Sequence, residues 1–203
     1  YLQKTNRGME AKREAEWLVK HAANTPYKQA ALVYLGQALD RELKQSIEVK
    51  PELVREALAV YGQLVAELGS TSDDLKRSGN ARGAYKKLAE LEFLAGNFPA
   101  ADRIYKLLLE TFPNHQDYIH GLAKTKMQLR EFNAALPLWR KLNAGIQPGT
   151  DVWYESKIGL INCIMETDTE AAGKVLRQTI RLSPELPAKW RLIFEQLEQK
   201  FQK

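Results

Sequence analysis

Apolar side chains recur every three or four residues along most of the chain, which is the spacing that places them on one face of an α-helix. Leu88 and Leu91 lie on one such face, and Ala101 and Tyr105 lie on another. Residues 96–99 separate the two faces and have the sequence Gly-Asn-Phe-Pro, in which the asparagine fits a helix N-cap and the proline fits a first helical turn. The pattern predicts two antiparallel helices joined by a short turn.

This hairpin pattern repeats with a period of 34 residues. A shift by that period brings residues of small, apolar or aromatic character together at six of seven positions. The pairs are Tyr85 and Ile119, Leu88 and Leu122, Ala89 and Ala123, Gly96 and Arg130, Phe98 and Phe132, Ala101 and Ala135, and Tyr105 and Trp139. A third copy carries Gly159, Leu160, Ala172 and Leu176, and a fourth stops after one helix with Trp190, Ile193, Phe194 and Leu197.

At these positions the chain resembles the tetratricopeptide repeat (TPR) family. The TPR motif places an aromatic residue, a Leu-Gly or Leu-Ala pair, a glycine turn, an alanine followed by an aromatic, and a closing proline on a 34-residue period. Residues 82–115 and 116–150 match it best, and residues 153–186 match it loosely. The resemblance implies an all-α, right-handed superhelical solenoid of antiparallel helix hairpins, with three TPR-like repeats in 82–186 and a capping helix in 187–203.

The first 80 residues follow the same pattern with longer and less regular helices. An over-long hairpin is predicted to turn near Pro51, and Ser72 is predicted to cap a helix that starts well before Tyr85. Residues 11–22 have the spacing of a second helix that lacks its first. We therefore expect residues 1–203 to form one helical-repeat domain, and we expect the chain to be a C-terminal fragment of a longer protein.

Composition narrows the class of protein further. Hydrophobic residues make up 44% of the 203 residues, which is enough to bury a core. The longest apolar run, Ala30 to Leu35, is far shorter than the roughly 18 residues needed to cross a membrane. The net charge of +5 is not gathered into a basic tail or arm. These features predict a soluble chain without membrane insertion and disfavour nucleic acid as its partner.

No group of residues predicts an enzyme, a metal site or a cofactor. The single cysteine, Cys163, lies in an apolar stretch and is predicted to be a buried thiol. His115 and His120 are five residues apart, which does not place them on one face of a helix as a zinc pair requires. The sequence contains neither a Gly-x-Gly-x-x-Gly segment nor a phosphate-binding Gly-Lys-Ser loop.

A column of basic residues is the strongest candidate for function. The position after each first-helix aromatic or apolar marker holds Lys28, Lys86, His120, Lys157 and Arg191. The family resemblance implies that this column lies on the concave face, where some TPR proteins use a lysine to hold a peptide carboxylate. The asparagine of those carboxylate clamps is missing, because the column one turn later holds Leu32, Glu90, Lys124, Ile161 and Glu195.

The sequence therefore predicts a protein-interaction module that binds a peptide segment, acidic or carboxylate-bearing, in its concave groove. The predicted contact residues are Lys28, Lys86, His120, Lys124, Met127, Tyr154 and Lys157. Two alternatives stay open: a helical-repeat array that binds single-stranded RNA, and a structural spacer or oligomerising segment of a larger protein. The sequence leaves open the compartment, the identity of the partner and whether copies of the chain associate.

Overall fold

The computed structural model describes residues 2–22, 25–69, 71–183 and 185–201. Eleven α-helices and no β-strand are found among these residues. The helices are α1 (Leu2–His21), α2 (Pro26–Gln45), α3 (Pro51–Leu68), α4 (Ser72–Arg77), α5 (Gly79–Leu94), α6 (Phe98–Thr111), α7 (Gln116–Gln128), α8 (Phe132–Gly145), α9 (Asp151–Met165), α10 (Thr169–Leu182) and α11 (Ala188–Lys200). None of the helices in the described residues is long and apolar enough to cross a membrane.

The chain divides into two compact units. Unit 1 comprises residues 1–111 with helices α1 to α6, and unit 2 comprises residues 112–203 with helices α7 to α11. In both units, consecutive long helices pack against each other as the hairpin pattern predicts. Each unit has its own group of buried apolar side chains.

The core of unit 1 lies where α2, α3 and α5 meet. Its members are Leu32, Leu39, Val54, Ala57, Tyr61, Leu64, Ala84 and Leu91. The long hairpin is confirmed, because α2 ends at Gln45 and α3 begins at Pro51, whose ring fits the first helical position. The two helices approach closely at Gly36, where an added Cβ would lie 2.8 Å from Cζ of Tyr61.

The helix before Tyr85 differs from its prediction. Thr71, not Ser72, is the N-cap of the short helix α4, and its side chain accepts a hydrogen bond from the backbone of Asp74 in a reciprocal capping box. The chain then breaks at Ser78, whose hydroxyl accepts a hydrogen bond from the backbone N–H of Ala81 at the start of α5. The prediction that Ser72 caps one continuous helix was therefore wrong, because two residues with capping hydroxyls flank a six-residue helix.

The turn between α5 and α6 forms where the sequence predicted it. The carbonyl of Asn97 accepts a hydrogen bond from the N–H of Ala101, so Asn97 occupies the cap position of α6. Its side chain instead donates to Glu92 at 2.8 Å. Gly96 has a φ of +79°, a conformation that side chains with a Cβ rarely adopt.

The core of unit 2 joins α9, α10 and α11. It contains Trp153, Tyr154, Ile161, Ala172, Leu176, Leu186, Trp190, Phe194 and Leu197. Helix α11 buries Trp190, Phe194 and Leu197 against this core and exposes Glu195 and Gln196, which confirms the predicted amphipathic terminal helix.

Candidate functional site

The basic column predicted from the sequence is partly matched by acidic residues. In unit 1, Nζ of Lys28 lies 2.6 Å from Oε1 of Glu67, which is on α3. Nζ of Lys86 lies 3.8 Å from Oε1 of Glu90, one turn further along α5. The positive charge of both lysines is therefore balanced in part within unit 1.

In unit 2, His120 on α7 faces Glu155 on α9. Nε2 of His120 lies 2.7 Å from Oε2 of Glu155, although the contact does not have the geometry of an aligned hydrogen bond. The imidazole also meets the ring of Trp139 edge-on, with 5.7 Å between the ring centroids. His120 therefore connects α7 to the two helices that follow it.

Glu155 is an acid that the sequence did not identify. The His120 imidazole lowers the pKa of Glu155 below its ordinary value, and this outweighs the opposing effect of partial burial, while Lys124 and Lys189 add to the lowering. The equivalent positions in the other copies hold proline, alanine, tyrosine and lysine, so no repeated pattern points to an acid here. His120 and Lys124 thus surround a carboxylate within unit 2.

The lowered pKa of Glu155 predicts a specific acid sensitivity. Because the carboxylate is held ionised in the folded state, its stabilising contribution is complete above its unfolded pKa of about 4.5 and is lost as the pH falls through the lowered folded pKa. We expect Glu155→Gln to reduce the stability of unit 2 near neutral pH, and we expect its difference from wild type to shrink on acidification. Urea denaturation across this pH range measures the difference. Glu170→Gln, which removes an exposed glutamate from α10, controls for the loss of one negative charge. A difference from wild type that is constant with pH would contradict the assignment.

Met127 contributes an apolar contact between α7 and α9. Its sulfur lies 3.1 Å from Sγ of Cys163, and Cys163 is only 2% exposed. Burial raises the pKa of the Cys163 thiol to about 11, so the thiol stays protonated near neutral pH. The prediction of a buried thiol at Cys163 is confirmed.

Tyr154 does not lie on a surface, which corrects the sequence analysis. Its side chain is 3% exposed and stacks on Trp190, with 5.6 Å between the ring centroids. The rings of Trp153 and Phe194 meet it edge-on at 5.0 and 6.2 Å. The structure gives Tyr154 a packing role, because the aromatic residues of α9 and α11 meet in the core rather than facing a ligand.

Lys157 is a half-buried cation that has no acidic partner. Its ammonium lies 5.2 Å from the centroid of the Trp153 ring, which is one turn earlier on α9. Within the part of the chain that the structure describes, Lys157 makes no hydrogen bond and no ion pair. Burial lowers the pKa of Lys157, and no carboxylate offsets this effect.

The cations of α11 differ from Lys157 in this respect. Lys189 is paired with Asp151 at 3.2 Å, and Arg191 donates to the carbonyl of Leu186 at 3.2 Å. Lys157 therefore keeps an ammonium with unused hydrogen-bond donors. Among the described residues, no group of three or more His, Cys, Asp or Glu side chains has the arrangement of a metal site.

The chain resembles solved structures of TPR-like repeat proteins. A Podosopora anserina protein assigned as a kinesin light chain, with nearly identical TPR-like repeats, shares 16% identity over 92% of each chain, at a TM-score of 0.61. A tetratricopeptide repeat protein from Parabacteroides merdae shares 18% identity over 90% of this chain and 62% of that one, at a TM-score of 0.63. No protein-family model and no curated protein matches the chain. The chain has a TPR-like fold, and the predicted all-α helical-repeat class is confirmed.

Proposed function

We propose that this chain is a non-catalytic protein-interaction module, and that unit 2 binds an acidic, extended segment of another protein. The TPR-like fold supports the general part of the proposal, because stacked helix hairpins present a pre-ordered surface that needs little reorganisation on binding. The charge of the first helices supports the specific part. Lys124, Lys157, Lys189 and Arg191 are all basic, so a segment rich in Asp or Glu is complementary.

Lys157 is the observation that carries the proposal. A partly desolvated ammonium is stabilised by a carboxylate more strongly than an exposed one, because water screens the pair less. The Trp153 ring beside it restricts the ammonium and favours the charged form through its π-face. A carboxylate that approaches Lys157 from solvent would find donors already oriented and no internal acid to displace.

The remaining predicted contact residues fall into two groups. His120, Lys124 and Met127 belong to the same unit as Lys157, and we propose that Lys124 adds positive charge while Met127 adds apolar contact. Lys28 and Lys86 belong to unit 1, and their role in peptide binding stays a prediction. We expect them to contribute less, because Glu67 and Glu90 already share their charge.

Charge reversal at Lys157 tests the proposal. The probe is a fluorescein-labelled octapeptide of alternating glutamate and leucine with an amidated C-terminus. We expect Lys157→Glu to weaken binding about tenfold or more, because a hydrogen bond between charged groups contributes about 1.5–3 kcal/mol. Lys157→Met should weaken binding less, since the aliphatic stem stays over Trp153. Fluorescence anisotropy at fixed salt measures the dissociation constants.

The matched control is Lys174→Glu, which makes the same charge change at an exposed site on α10. We expect it to leave the dissociation constant within about twofold, because exposed pairs contribute little. Equal weakening by both reversals would assign the binding to overall charge and reject the Lys157 site. Tighter binding of a single-stranded RNA oligonucleotide than of the acidic peptide, with a steep dependence on salt, would favour the nucleic-acid alternative instead.

A further inference from the structure

Unit 1 contains a second feature that the sequence did not predict, a cavity of about 260 Å³ between α2, α3 and α5. We call it the unit 1 cavity. Its rim includes the exposed residues Gln37, Asn80 and Gly83, and its floor includes Tyr61 and Leu64, which are 6% and 3% exposed. The cavity thus reaches from solvent past two helices to a third. Its volume is below the roughly 300–1,000 Å³ of sites for drug-sized ligands and suits one side chain.

One polar atom in the wall of the cavity is unsatisfied. Oδ2 of Asp40 accepts a hydrogen bond from the Tyr61 hydroxyl at 2.9 Å. Oδ1 of Asp40 is buried and accepts no hydrogen bond from any described residue. The nearest cation, Nζ of Lys87, lies 3.5 Å from Oδ1 and is closer to Glu90, at 2.8 Å. A buried acceptor without a donor is unusual, because it loses its hydration without compensation.

Lys87 is held in its charged form beside this acceptor. Partial burial opposes the charge, but Glu90 and Asp40 together outweigh that effect and raise the pKa of Lys87. The same wall of the cavity therefore carries one fixed negative group and one fixed positive group. Leu64 and Ala84 supply the apolar part of its lining.

This arrangement selects against ligands of either charge. A cationic side chain that enters the cavity would approach Lys87, and an anionic one would approach Asp40. A neutral group with both a donor and an acceptor meets a complementary partner on each side. A carboxamide has this property, since its NH₂ donates and its carbonyl oxygen accepts.

We propose that the unit 1 cavity binds a glutamine side chain of a partner protein. The carboxamide NH₂ donates to Oδ1 of Asp40, its oxygen accepts from Lys87, and the two methylenes lie against the apolar lining. A main-chain peptide group has the same chemistry, but the buried floor at Tyr61 is accessible to a side chain and not to a backbone flanked by its own substituents. This site is separate from the acid-binding surface proposed for unit 2 and does not depend on it.

The ligand preference can be measured with four short peptides. The probes are acetylated and amidated pentapeptides of alanine with glutamine, glutamate, lysine or norleucine at the centre. We expect the glutamine peptide to bind at least about tenfold more tightly than the isosteric glutamate peptide, which lacks the donor and adds a charge. The amide resonances of Gly79 and Gly83 should move in ¹⁵N-resolved NMR titrations. Equal binding of all four peptides, or no binding at millimolar concentration, would overturn the proposal.

Two glycines provide a matched test of the location. A Cβ added at Gly83 meets no atom within 4 Å, and the same holds for Gly62 on α3, which does not line the cavity. We expect Gly83→Leu to fill the cavity and abolish binding of the glutamine peptide. Gly62→Leu should bind as wild type does. Circular dichroism melting of both variants shows that the fold is retained, and a Gly83→Leu variant that is folded and still binds would refute the site.

Asp40→Asn gives a readout that a purely structural role would not produce. The asparagine can still accept the Tyr61 hydroxyl hydrogen bond, but the negative charge is gone and Lys87 stays. We expect the preference to reverse, so that the glutamate peptide binds about tenfold more tightly than the glutamine peptide. An unchanged preference in a folded variant would show that Asp40 does not select the ligand.

Discussion

Gly159→Ala is expected to destabilise unit 2 by about 3 kcal/mol, although the same change in an exposed helix would stabilise it by up to about 1 kcal/mol. Gly159 lies inside α9, where alanine is the better helix former. An added Cβ, however, would lie 2.6 Å from Cδ2 and 2.8 Å from Cζ2 of Trp139 on α8. The indole is 3% exposed, so the ring has no open space into which it can move. The steric cost therefore exceeds the gain in helix propensity.

Urea denaturation of the variant measures this loss, with Gly62→Ala as the control. Position 62 is also helical but has open space around the added Cβ, so we expect unchanged or slightly raised stability there. A second substitution, Trp139→Leu, provides space beside residue 159. In the double variant the two losses should not add, because the smaller side chain relieves the contact. Additive losses, or a Gly159→Ala variant as stable as wild type, would mean that α8 and α9 do not pack in this way.

Packing of this kind was largely predictable from the sequence. The 34-residue period assigns Trp139 to a position where a bulky residue fills the space between helices, and Gly159 to a small position in the next copy. Local capping preferences located the turns before Phe98 and Pro51, because asparagine and proline restrict the backbone within one or two residues. Period and local geometry together are enough for helix boundaries.

The acidic partners of the basic column were not predictable in the same way. Periodicity reports which side of a helix a residue occupies, but it does not report which side chain lies opposite on the neighbouring helix. Glu67 reaches Lys28 across 39 residues of sequence, and Glu155 reaches His120 across 35. These contacts depend on helix crossing and rotamer, and neither acid recurs at equivalent positions. The unit 1 cavity was missed for the same reason.

Tyr154 shows how a single position can be misassigned. It follows a long loop and precedes Lys157 by three residues, so its sequence context indicated an exposed binding residue. The outcome depends on α11, which returns Trp190 and Phe194 to cover the ring. An aromatic residue at the start of a helix is buried or exposed according to the next helix along the chain, and that information is not local.

Tyr154→Ala is accordingly expected to destabilise unit 2 by about 3–5 kcal/mol, the range for deleting a large aromatic side chain from a core. The loss should act mainly on the attachment of α11, because the tyrosine ring stacks on Trp190 and meets Phe194 edge-on. Tyr154→Phe keeps the ring and should cost less than about 1.5 kcal/mol. Tyr27→Ala, at a tyrosine that is 69% exposed, should stay within about 0.5 kcal/mol of wild type.

The same variants separate packing from ligand contact at this position. If Tyr154 acts through the core, Tyr154→Phe should bind the acidic octapeptide with wild-type affinity, and the unfolding midpoint of Tyr154→Ala should fall well below that of Tyr27→Ala. If Tyr154 contacts the ligand, Tyr154→Ala should instead keep its stability and lose binding. Because the ring is 3% exposed and has aromatic neighbours on α9 and α11, the first outcome is the one we expect. It would leave Lys157, rather than the aromatic residue beside it in sequence, as the residue through which α9 binds an acidic partner.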